Sequence, residues 1–193
     1  MSSPNPPPLR LWTLGHSTLP IEVFLALLTP YGVQGVADVR RFPSSKRYPQ
    51  FGEGPLRAAL AAQGIDYRWL PELGGRREPT ADSPNTAWRN PAFRGYADHL
   101  DSAEFARGLD KLLAFASARR VAVMCAERMW TQCHRALIAD VLHFRGHEVL
   151  HILDDQRCQP HAYGPQARIV EGRLSYGADP RFQAHQGDLF APE

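Results

Sequence analysis

Five short apolar runs, each separated from the next by helical periodicity, narrow the folds open to this chain more than any other feature. The runs are Leu11–Leu14, Val33–Val39, Ile65–Leu70, Val121–Cys125 and Glu148–Leu153. After the first, Ile21, Phe24, Leu25 and Leu28 recur at helical spacing, with Thr18 as the expected N-cap and Thr29-Pro30-Tyr31-Gly32 as the stop. Pro55–Gln63 reads as a second helix closed by Gly64, and Phe93–Leu100 as a third. In Ala103–Ala118, the residues Phe105, Leu109, Leu112, Leu113 and Ala116 form one apolar stripe; Leu137, Val141 and Phe144 do so before Gly146. Strands alternating with helices predict a three-layer α/β fold, a mostly parallel open sheet with helices on both faces. The expected organisation is a disordered leader over residues 1–9, an α/β domain over 10–155, and an irregular extension over 156–193 with a small hairpin at Ile169–Leu174.

Composition excludes several alternatives. With 193 residues and 44% apolar content, the chain can bury a sizeable core. No apolar run approaches the roughly 20 residues that span a bilayer, and Met1–Pro8 lacks the apolar core of a signal peptide. Three cysteines do not make a disulfide framework, so a cytoplasmic location is expected. The net charge of +2 is nearly neutral, but its distribution is uneven. Residues 40–96 hold ten basic groups against five acidic ones, which suits an anionic partner.

Chemistry-bearing residues follow the carboxyl ends of the predicted strands: His16, Arg40, Glu72 and the loop from Cys125 to Arg135. In open α/β sheets that edge holds the ligand. The stretch Thr131-Gln132-Cys133-His134-Arg135 admits three uses. With Thr131 as N-cap, the bare helix N-terminus binds a phosphate or carboxylate, helped by His134 and Arg135. Alternatively Cys133 or Cys125 is a nucleophile of lowered pKa. In the third, a small buried cysteine packs beside a capping histidine. The spacing from Cys125 to Arg135 does not match a phosphatase-type Cys-x5-Arg loop. Glu127 is the candidate general acid or base, or else an ion-pair clamp on Arg40 or Arg135. His16, after a glycine, would orient the substrate or share proton transfer. Cys158-Gln159-Pro160-His161 is half a zinc motif without its other half, and Cys133 and His134 would diverge by about 100° on a helix. No metal and no cofactor are therefore expected.

The pieces Thr13-Leu14-Gly15-His16-Ser17, Asp38-Val39-Arg40, Pro43-Ser44-Ser45 with Phe51, Tyr67 through Leu73-Gly74-Gly75, Phe93–Tyr96, Met124-Cys125-Ala126-Glu127 through Cys133-His134-Arg135, and Val149-Leu150-His151-Ile152 together resemble domain-of-unknown-function family 488. The resemblance spans roughly residues 11–153 and implies a compact α/β domain without a settled activity. Ser44 and Tyr96 lie in matching pieces and join Arg40, Arg135 and His134 as expected binding residues.

The basic loop from Arg40 to Phe51 interleaves Phe42, Tyr48 and Phe51 with Arg and Lys, a pattern suited to phosphate contact and base stacking. Trp69, Trp88 and Trp130 are further candidate stacking surfaces. The leading expectation is an enzyme, hydrolytic in character, acting on a phosphate-containing, nucleotide-like or nucleic-acid substrate. The Arg40–Phe51 loop and the Arg76–Arg94 segment would close over it. Two readings compete: a module that binds nucleic acid or a protein partner without chemistry, and cysteine-dependent thiol chemistry. The expected partner is an anionic small molecule or nucleic acid, with no membrane.

Overall fold

The computed structural model describes residues 7–44 and 46–178. Most of the predicted leader (Met1–Pro6), Ser45 and the far end of the extension lie outside those residues. Six strands form one sheet in the order β3-β2-β4-β1-β5-β6: β1 (Arg10–Gly15), β2 (Gly35–Asp38), β3 (Asp66–Trp69), β4 (Val121–Cys125), β5 (Glu148–Ile152) and β6 (Cys158–Pro160). The first five pair in parallel, and β6 adds an antiparallel edge. A separate hairpin, β7 (Arg168–Val170) with β8 (Arg173–Ser175), occupies the predicted hairpin region.

Strand side chains alternate between faces, so each strand feeds two cores. On one face Trp12, Leu14, Val36, Ala122, Met124 and Ile152 pack against Phe24 and Leu28 of α1 (Ile21–Leu28) and Leu56 and Leu60 of α2 (Glu53–Ala61). On the other, Leu11, Ala37, Val121, Val123 and Val149 meet α3 (Pro91–His99), α4 (Ala103–Ser117) and α5 (Arg135–Phe144). The fold is the expected three-layer α/β arrangement. Each fully buried Leu or Phe contributes about 2 kcal/mol of apolar burial, which favours the layered packing over any arrangement exposing one face.

Helix starts follow local chemistry where a side chain is available. Asn90 caps α3 by accepting from the Ala92 amide at 2.9 Å, with Pro91 in the first turn. Ser102 caps α4 by accepting from Phe105 at 3.0 Å. Thr18 does not cap α1: Pro20 holds that position without a side-chain bond, and Thr18 faces the cleft described below.

The order of connections places the ligand edge. From β1 the chain crosses one face through α1 to β2, whereas from β4 it crosses the opposite face through α5 to β5. Since β1 and β4 are neighbours, their diverging connections open a crevice beyond their carboxyl ends. No helix among the described residues is long and apolar enough to cross a membrane.

Candidate active site

A cleft of about 720 Å³ lies at that crevice, a volume typical of small-molecule sites. His16 and Ser17 after β1, Arg40 after β2, and Cys125 to Arg128 at and after β4 line it, along with Phe42, Arg47, Tyr48, Arg76 and His134. Ser44 is at its rim.

Parallel pairing continues past the strand ends and brings the β1 and β4 loops together. The His16 amide donates to Cys125 O at 3.0 Å, and the Ser17 amide to Ala126 O at 2.8 Å. Gly15 permits this approach. A Cβ there would lie 1.7 Å from the Glu127 carbonyl oxygen, a backbone atom that cannot swing away. Ser17 and Arg76 hold left-handed backbone at φ 49° and 60°. Such strain in ordinary residues concentrates at functional sites, and both line the cleft.

Arg40 is held rather than free. Its guanidinium grips the buried Asp38 carboxylate at 2.5–3.1 Å, and Nη1 donates to Phe51 O at 2.8 Å. Tyr67 donates to the same carboxylate at 2.7 Å. Asp38 was legible as the partner, because residues two apart project to the same side of an extended strand. Arg40 Nη1 also lies 3.3 Å from His16 Nε2, while His16 Nδ1 lies 2.9 Å from Ser17 O and the ring stacks on Phe51 at 4.1 Å. Burial, with help from Arg40, lowers the His16 pKa to about 4. The ring is neutral near pH 7, donating from Nδ1 and accepting from Arg40 at Nε2. It orients Arg40 and walls the cleft; it is not charged there.

Glu127 projects into the cleft. The clamp reading fails: its carboxylate accepts from Cys125 Sγ at 2.9 Å and Cys133 Sγ at 3.4 Å. Its backbone carbonyl, not its carboxylate, is the group that accepts from Arg135 Nη2 at 2.5 Å.

Arg135 corrects a second expectation. It is 1% exposed and lies beneath the cleft floor, not among the lining residues. Nε reaches Cys125 Sγ at 3.2 Å, Nη1 reaches Thr13 Oγ1 at 3.3 Å, and Nη2 reaches the Glu127 and Arg128 carbonyls at 2.5 and 3.3 Å. A buried guanidinium with four of its five N–H groups on protein atoms, and outside the cleft lining, does not hold substrate. It pins the loop that does.

The helix N-terminus also differs from expectation. Trp130–Gln132 form a short 3-10 turn, Cys133 is extended at φ −135° and ψ 147°, and His134, not Thr131, is the N-cap. The Cys133 sulfur therefore lies 3.5 Å from the Arg135 amide, so the protein's own thiol occupies the expected anion position. Cys133 Sγ lies 2.6 Å from Cys125 Sγ and 3.6 Å from His134 Nδ1. Burial opposes ionisation of Cys133, but the Cys125 hydrogen bond, His134 and Arg135 together hold this thiol well below its ordinary value. Burial and the Cys133 sulfur push Cys125 the other way. The two thiols are thus biased in opposite directions, Cys133 towards ionisation and Cys125 away from it. His134 is raised despite burial, by the Cys133 sulfur and by its bond to the Val39 carbonyl at 2.9 Å.

Other predicted residues fall away from the cleft. Tyr96 is buried, donates to Leu73 O at 2.7 Å and packs on His134 at 5.0 Å between ring centroids, so it supports a wall residue from behind. Glu72 pairs with Lys111 of α4. Of the three tryptophans offered as stacking surfaces, Trp69 donates to Arg40 O, Trp88 stacks on Phe93 and Trp130 stacks on His151. The exposed aromatic at the mouth is Phe42. From the Arg76–Arg94 segment only Arg76 lines the cleft; beyond it, Thr80, Ser83 and Asn85 are tied to Asp98 of α3.

Sequence reasoning missed a buried chain behind the site. Asp140 accepts from Tyr176 at 2.7 Å and from His161 Nε2 at 2.9 Å. His161 Nδ1 lies 3.0 Å from His151 Nε2, and His151 Nδ1 lies 2.7 Å from Thr13 Oγ1, which accepts from Arg135. One set of tautomers satisfies every link, with His151 donating to His161 and Thr13 donating to His151. The available signal was the register: Thr13 and His151 are direct partners across β1 and β5.

No curated protein and no solved structure matches the chain. A family described as Domain of unknown function DUF488 matches residues 20–142, well over half of the chain and most of the cleft residues. The chain therefore belongs to the DUF488 family.

Proposed function

We propose that the cleft is the active site of a hydrolytic enzyme acting on a nucleotide-like substrate. The observation that carries this reading is the charge of the lining. Arg41, Arg47, Arg76 and Arg128 surround the cleft in addition to the compensated Arg40, and Glu127 is its single carboxylate. A concave site of that polarity selects a phosphate or another compact anion. Phe42, 61% exposed, and Tyr48 add aromatic faces beside the arginines. An aromatic face suits a planar base, worth about 1–3 kcal/mol of stacking, which favours a nucleotide or nucleic-acid end over inorganic phosphate. Glu127 faces this space as the general base for an attacking water.

The test is turnover. The purified full chain is incubated with nucleoside mono-, di- and triphosphates and with short single-stranded DNA and RNA, and products are resolved by mass spectrometry. One substrate class is expected to be converted, with Glu127→Gln slowing conversion by about 100-fold or more while binding persists. Conversion that is unaffected by Glu127→Gln contradicts the assignment. Tight binding of these ligands with no conversion by the unaltered chain favours a binding module instead.

A further inference from the structure

We propose that Cys125, Cys133 and His134 bind a divalent transition ion of the zinc type at the cleft floor. The two sulfurs and His134 Nδ1 all lie within 4.8 Å of one another. On a helix, adjacent residues 133 and 134 would diverge. Here Cys133 is extended and His134 is the cap, so both side chains converge on Cys125 at the end of β4.

The surroundings of the three donors match those of a ligand set. A metal-binding imidazole commonly donates its second nitrogen to a carbonyl or carboxylate, which fixes the tautomer and aims the first nitrogen. His134 Nε2 lies 2.9 Å from the Val39 carbonyl and Nδ1 faces the sulfurs. Arg135 Nε, 3.2 Å from Cys125 Sγ, supplies an N–H to a ligating sulfur from the side away from the cleft. Zinc–sulfur bonds of about 2.3 Å and tetrahedral angles set sulfurs about 3.7 Å apart. The sulfurs, now 2.6 Å apart, would separate by about 1 Å, within reach of side-chain rotation.

Charge also balances. Two thiolates neutralise a divalent ion, and the Glu127 carboxylate offsets Arg135. Binding releases the thiol protons and any imidazole proton to solvent. Three protein ligands leave one tetrahedral position, as in catalytic rather than structural zinc sites. Cys125 and His134 both line the cleft, so that position opens towards substrate. The Glu127 carboxylate, 2.9 and 3.4 Å from the two sulfurs, borders it as base for a bound water. The inference deepens the hydrolytic reading and rests on it for the role of that water, but not for the binding of the ion.

The experiment uses the full chain, reduced and then freed of reductant. Zinc content is measured by elemental analysis, and titration with cobalt(II) is followed by absorbance. About one equivalent is expected, with sulfur-to-cobalt charge transfer and the intense visible bands of a tetrahedral site. Cys133→Ser and His134→Ala are expected to weaken binding at least 10-fold. Cys158→Ser, which alters the remaining free cysteine on β6, is expected to bind as the unaltered chain does and controls for nonspecific thiol uptake. Circular dichroism confirms that each variant is folded. Reduced, folded protein that takes up neither ion overturns the inference, as does air oxidation to a Cys125–Cys133 disulfide that excess cobalt does not prevent. Absence of ion with Glu127-dependent turnover intact overturns this inference alone. Bound ion with no turnover of any nucleotide overturns the functional reading alone.

Discussion

Arg135→Met is expected to destabilise the protein by about 4 kcal/mol, the largest loss from any single substitution at the site. The arginine is buried with its donors committed to Cys125 Sγ, Thr13 Oγ1 and the carbonyls of Glu127 and Arg128. Methionine fills a similar volume but takes the guanidinium donors from those carbonyls, and Thr13 keeps only its bond to His151. Each unpaired buried group costs about 1–3 kcal/mol. Lysine keeps the charge but cannot fan donors towards a sulfur, a hydroxyl and two carbonyls at once, so Arg135→Lys is expected to recover less than half of the loss. Urea unfolding followed by circular dichroism measures both. A loss below about 1 kcal/mol for Arg135→Met would mean that the loop is held by other contacts.

Acidification is expected to be nearly as damaging, and over a window where carboxylates are still ionised. Burial lowers His16 to about 4 and His151 to about 3, and it also lowers His99 and His147. In the unfolded chain these rings take up a proton near pH 6.5. Because the unfolded state binds protons first, stability falls as pH drops from 6.5 towards 4. His134, raised rather than lowered, acts above that window and in the opposite sense. His16 and His151 together are expected to remove roughly 4 kcal/mol between pH 6.5 and 4.5. Urea midpoints across that range check this. A flat profile would show that these rings are already protonated in the folded protein, which contradicts the bonds assigned to His16 with Arg40 and to His151 with Thr13 and His161.

The layered fold was legible because strand and helix periods differ and the sequence alternates them cleanly. Glu127, His16 and Arg40 were legible as edge residues for the same reason: each follows the end of an apolar run. Their roles were not, because a side chain's partner is set by tertiary geometry. Arg135 and Arg40 looked alike as free cations, yet one pins a loop from below and the other is neutralised by Asp38. Assuming that α5 begins at Thr131 misplaced Cys133 and His134 by part of a turn. That error made the two side chains diverge where the structure makes them converge. The network from Tyr176 through Asp140, His161 and His151 to Thr13 joins segments far apart in sequence. Nothing local marks it, since a buried histidine in a strand reads the same with or without a partner.

The ligand we propose for the arginine-lined cleft carries both a phosphate and a base. Amide chemical shifts of the labelled chain, titrated with a nucleoside monophosphate and separately with the free nucleoside, test it most directly. The monophosphate is expected to shift Ser17, Phe42, Gly75, Arg76 and the Ala126–Arg128 segment. Arg76→Glu should weaken binding by about 10-fold, and the free nucleoside should bind much more weakly. Shifts confined to the opposite edge of the sheet around Trp12 and Gln34, or none at millimolar ligand, would contradict it.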